Sequence, residues 1–236
     1  MIYFLMLELM LFQSNPFAPQ ATQVIEEAEV GGQAFGKLFV KGPDAELLSE
    51  VGQQFLEISK PIQAEMAFVA AKKLDAKNET VGKGLDKSRE RLKFLEGRIK
   101  KFTEEINASH DPITYNRRAA ILYHMGRYQE ALVSLDKGFE KNPTSRDIFG
   151  LRRTFEQGVR LEHTARAMME EQFTAALSQN TPEQALSEFG KIVFSSLGKV
   201  EATDYLGRLS EKYPKLDMKK IKDVLALFQS GEHRQG

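Results

Sequence analysis

The sequence predicts an all-α protein of antiparallel helix hairpins, with one long helix inserted between them. Three observations carry this. In residues 112–145, Tyr115, Ala119 and Leu122 share one helical face, Gly126 breaks the pattern, and Tyr128, Ala131, Leu132, Leu135 and Phe139 restart it before Asn142-Pro143. Apolar residues at every third or fourth position mark one face of a helix, and the residue before a proline is pushed out of helical geometry. A second pair of periodic segments occupies 44–78, and its Ala64 precedes Ala131 by close to two periods of about 34 residues, a common helix–turn–helix repeat length. Between the pairs, Leu85, Leu92, Leu95, Ile99, Phe102 and Ile106 follow at near-heptad steps, which suit one long helix with a narrow seam.

Residues 1–12 are almost wholly apolar, broken only by Glu8. They are too few to cross a bilayer, which takes roughly 20 apolar residues. They also lack the basic start and small-residue cleavage site of a signal peptide. A short buried helix is expected there, with Pro16 and Pro19 marking a linker to residue 20. Residues 21–43 read as a weak helical lead-in interrupted by Gly31, Gly32 and Gly36. Gly31-x4-Gly36-Lys37 resembles a phosphate loop in spacing only. Leu38 stands where Ser or Thr would ligate Mg²⁺, and no buried strand precedes it. Asp44 is placed to cap the next helix, with Leu48, Val51, Gly52 and Phe55 on its inner face. Pro61 opens a partner helix carrying Ala64, Phe68 and Ala71, and residues 74–78 close the unit.

The long helix is expected over 80–107, capped by Thr80 and ended by His110-Asp111-Pro112. Its polar faces carry Lys83, Lys87, Arg89, Arg91, Lys93, Arg98, Lys100 and Lys101 against Asp86, Glu90 and Glu96. They read first as a solvated surface and second as a docking face for an acidic partner, with Arg89, Arg91 and Lys93 at its centre. In the hairpin that follows, Tyr115, Ala119, Leu122, Gly126, Tyr128, Ala131, Leu135 and Pro143 form a large, small, large, turn, aromatic, small, large, proline series. This closely resembles the tetratricopeptide repeat family. Arg118, where the family has an apolar residue, and Gly138, where it has alanine, depart from it. The resemblance implies a right-handed superhelical array, a solenoid, whose first helices line a concave binding face. Carried over position by position, that face holds Glu46, Ser49, Glu50 and Gln53 in one unit. In the other it holds Ile113, Asn116, Arg117, Ala120 and Tyr123. The subfamily that clamps a carboxyl terminus has Lys and Asn where this chain has Ser49 and Gln53, so that ligand is not expected.

Beyond Pro143, residues 147–177 read as one helix with Phe149, Phe155, Val159, Met168, Phe173 and Ala176 among its apolar positions. Thr181 and Pro182 start another, with Ala185, Phe189 and Ile192 at repeat spacing, so the two form a degenerate third hairpin. A short helix through Tyr205, Leu206 and Leu209 ends at Tyr213-Pro214. Asp217 caps a last one whose outer face carries Lys219, Lys220 and Lys222, the polar face a terminal repeat requires. The expected organisation is an apolar segment and linker over 1–20, the lead-in over 21–43, a repeat domain over 44–216, and a capping helix and tail over 217–236.

Lys+Arg and Asp+Glu both total 33, so no bulk charge marks a nucleic-acid partner. With Cys 0 there is neither a disulfide nor a thiol nucleophile, which fits a cytoplasmic chain, a membrane-associated or periplasmic place being the alternative. His110, His124, His163 and His233 show no ligand spacing, and no nucleophile elbow or dinucleotide fingerprint occurs. No catalytic residue, metal or cofactor is expected. The function expected is that of a non-catalytic scaffold or adaptor within a larger assembly, binding a protein partner. The alternative is a membrane-associated assembly factor docked through residues 1–12 and the basic helix.

Overall fold

Short polar side chains begin several of the helices. Asp44 Oδ1 accepts the Leu47 N–H at 3.0 Å, Asp111 Oδ2 the Thr114 N–H at 3.1 Å, and Asp217 Oδ1 the Lys220 N–H at 3.4 Å. Each satisfies an amide that the helix itself leaves without a partner. The long helix is capped by Asn78, whose Oδ1 accepts from Thr80 and Val81 at 3.0 and 3.2 Å. The expected cap, Thr80, already lies inside that helix, whose first residue is Glu79, and its own amide is one of the two that Asn78 satisfies.

A computed structural model describes residues 21–229 apart from 126, 145, 180 and 196–201. For residues 21–26, 147–149, 151, 154 and 229 it describes the backbone alone. The apolar segment 1–12, its linker, the side chain of Phe149 and the tail from 230 therefore lie outside the described residues. Those described form ten helices and no strand. They are α1 (Ala21–Lys41), α2 (Ala45–Glu57), α3 (Pro61–Leu74), α4 (Glu79–Ser109) and α5 (Pro112–His124). There follow α6 (Tyr128–Lys141), α7 (Arg146–Ser178), α8 (Pro182–Ser195), α9 (Thr203–Lys212) and α10 (Met218–Gln229). The all-α class, the long helix and both hairpins agree with the sequence reading.

The described chain divides into two compact units, one holding residues 90–163 and the other residues 22–89 and 164–229. The divisions fall inside α4 and α7.

In the first unit α5 and α6 form an antiparallel hairpin. Ala119, Leu122, Ala131 and Leu135 are fully buried, and Ser134 Oγ donates to the Tyr115 carbonyl at 3.2 Å. Leu92, Leu95, Phe102 and Ile106 turn the seam of α4 inward. Arg118, polar within an otherwise packed hairpin, donates its Nε to Thr103 Oγ1 of α4 at 3.1 Å. His110 takes φ 51, a left-handed turn held on both sides. Its ring nitrogen Nδ1 lies 3.3 Å from the Tyr115 hydroxyl, and its carbonyl accepts from Asn142 Nδ2 at 3.1 Å.

In the second unit all the inner positions of the α2–α3 hairpin are buried: Leu48, Val51, Gly52, Phe55, Ala64, Phe68 and Ala71. The Phe68 ring fills the space left by Gly52 of α2 and Gly84 of α4. One core then joins helices far apart in sequence. Phe35 of α1 meets Phe228 of α10 at 5.3 Å between ring centroids, Phe39 stacks on Phe189 of α8 at 5.1 Å, and Phe55 stacks on Phe194 at 4.2 Å. A stack of repeats touches only sequence neighbours. The contacts of α1 with α8 and α10 inside this unit are not of that kind.

Two readings of single residues are corrected. On α7 the buried methionine is Met169, at 1% exposure, while Met168 is 43% exposed. On α1, Gly31, Gly32 and Gly36 do not interrupt anything, because the helix runs unbroken through them. They are the face on which α8 lies. A Cβ on Gly190 would stand 2.5 Å from the Gly32 carbonyl oxygen and 3.1 Å from the Gly36 nitrogen, and one on Gly31 would enter the Phe194 ring. Lys191, itself buried, lays its stem over Gly32 and holds its ammonium 2.9 Å from Glu188 and 3.7 Å from Glu29.

Candidate functional site

The capped first turn of α5 sets the direction of the face carrying Ile113, Asn116, Arg117 and Ala120, which recur at helical spacing. That face passes from exposed to buried along the helix. Ile113 is 53% exposed, Arg117 is exposed, Asn116 is half-buried, and Ala120 is buried. Asn116 Oδ1 is enclosed with no hydrogen-bond partner. A carboxamide oxygen removed from water without a donor is costly, by about 1–3 kcal/mol. A large apolar side chain, an unmatched acceptor and a planar cation therefore occupy adjoining positions at the N-terminal half of α5.

Tyr123, expected on the same face, is interior. Its hydroxyl donates to Glu162 Oε1 of α7 at 3.0 Å, and Tyr128 donates to the same oxygen at 3.1 Å. The Tyr123 ring packs 5.1 Å from that of Tyr128 and edge-on to Phe155 at 5.4 Å. Burial, with the Glu162 carboxylate beside them, pushes both phenols well above their usual range. Next to them the His124 ring, half-buried with Nε2 enclosed and unpartnered, is pushed down to about 4 by loss of hydration. These residues join the hairpin to α7.

The other expected positions lie as follows. On α2, Glu46 and Glu50 are exposed, Gln53 is half-buried, and Ser49 is buried at 7% exposure, so the helical face assigned to binding is partly interior. On α4, Arg89 Nε is bonded to Glu65 of α3 at 2.8 Å, Arg91 is half-buried, and Lys93 is exposed. Much of the basic charge has a local counterpart. Lys83 lies 3.9 Å from Glu79, Lys101 lies 3.7 Å from Glu105, and Arg98 sits over the Phe102 ring. Pairs of this exposed kind contribute little to stability, but they do reduce the field an acidic partner would meet. Arg89 falls in the second unit and Arg91 and Lys93 in the first.

Glu162 was missed in the sequence reading. It stands seven residues after Phe155, hence on the same face of α7, and a carboxylate on an apolar helical face is the signal that would have found it. The glycine-lysine spacing at 31–37 sits within α1 against α8, whereas phosphate binding needs a loop with its amides open. Among the described residues no group of three or more His, Asp or Glu is placed to hold a metal ion, and no helix is long and apolar enough to cross a membrane. No family model, curated protein or solved structure matches this chain.

Proposed function

We propose that the chain is a non-catalytic interaction scaffold that holds a protein partner against the N-terminal half of α5. The observation that carries the proposal is the juxtaposition of exposed Ile113, half-buried Asn116 and exposed Arg117 on one face of a hairpin whose inner positions Ala119, Leu122, Ala131 and Leu135 are fully buried. An apolar side chain supplies desolvation on docking, the carboxamide supplies a hydrogen-bonding group, and a guanidinium supplies donors in a fixed fork suited to carboxylates. The tetratricopeptide resemblance supports the same reading. Its small and large signature positions in both hairpins are the buried ones, and its first-helix binding positions include Ile113, Asn116 and Arg117. In this proposal the two hairpins are tetratricopeptide-like units, and the superhelical array is the arrangement such units favour. The proposal extends to a subunit role in a cytoplasmic assembly without nucleic acid, a reading supported by the balanced charge and the cysteine-free composition.

The test is quantitative affinity purification of wild type and of the triple variant Ile113→Ser, Asn116→Ala, Arg117→Ala, with melting curves to show that both are folded. At least one co-purifying protein should fall about fivefold or more, equivalent to about 1 kcal/mol, the loss expected of a contributing interface residue. An unchanged set of partners from a folded variant would remove α5 as the working surface.

A further inference from the structure

We draw no further inference here: the strongest candidate, the side-chain cluster of Tyr123, His124, Tyr128 and Glu162 where the hairpin meets α7 in the first unit, carries nothing because both hydroxyls are satisfied by Glu162 and the unpartnered His124 Nε2 stands on its burial alone, with nothing in the structure to show what would occupy or release it.

Discussion

Replacing Gly190 with alanine tests the contact that most distinguishes the second unit. Two effects of opposite sign compete. Alanine is the better helix former, by about 1 kcal/mol in a helix interior. Its Cβ, however, would stand 2.5 Å from the Gly32 carbonyl oxygen, 3.0 Å from Phe35 Cβ and 3.1 Å from the Gly36 nitrogen. A relaxed carbon–oxygen contact is about 3.3 Å or more, so α1 and α8 must separate by roughly 0.8 Å. Two of these neighbours are backbone and the third is the fixed root of a fully buried side chain, so no flexible end can swing aside. Separation also loosens the stack of Phe39 on Phe189. Overpacking costs typically 1–3 kcal/mol; a clash with fixed backbone belongs to the upper part of that range, about 2–3 kcal/mol, so the sum is a net loss of about 1–2 kcal/mol. For a chain of this size that is a fall in melting temperature of about 2–8 °C. Urea titration followed by helical circular dichroism is the assay, with Gly97→Ala on α4 as the reference. Nothing lies within 4 Å of a Cβ at Gly97, so only propensity acts there and the variant should gain about 1 kcal/mol. If Gly190→Ala is as stable as wild type or more so, the close crossing of α1 and α8 is wrong.

Three further outcomes are expected. His124 is held neutral in the fold, with its pKa pushed down to about 4 by burial. As pH falls below the unfolded value of about 6.5 the unfolded chain takes up a proton that the folded chain refuses, so stability drops between pH 7 and 5 by up to about 2 kcal/mol. His124→Gln should flatten that part of the pH profile, and parallel profiles for the two proteins would refute it. Tyr123→Phe and Tyr128→Phe should each lose about 0.5–1.5 kcal/mol. The double variant, which leaves the Glu162 oxygen with neither hydroxyl, should lose more than the sum, and strict additivity in denaturant titrations would show that the two do not share it. Ala131→Leu, at a fully buried position of the α5–α6 hairpin, should cost about 1–3 kcal/mol, and an unchanged melting curve would mean the hairpin register is misplaced.

What the sequence determined by itself was local. The periodicity of Tyr115, Ala119 and Leu122, the seam from Leu85 to Ile106, and the caps at Asp44 and Asp217 each act within a few residues, and the helices and both hairpins follow from them. The residues of the proposed site were legible for the same reason: Ile113, Asn116 and Arg117 occupy one face by helical spacing alone. Tyr123 and Ser49 were placed in a groove by the repeat frame, yet one is buried against α7 and the other inside its own unit. A helical period states which residues share a face, not what that face meets. The tertiary structure alone decided that α1 lies against α8 and α10. Contacts across so much intervening chain leave no periodic trace, and a local reading treats glycine only as a weak helix former. Gly32, Gly36 and Gly190 are used for the opposite property: the missing side chain lets two backbones come close enough for Phe35, Phe39, Phe189 and Phe194 to close one core around them.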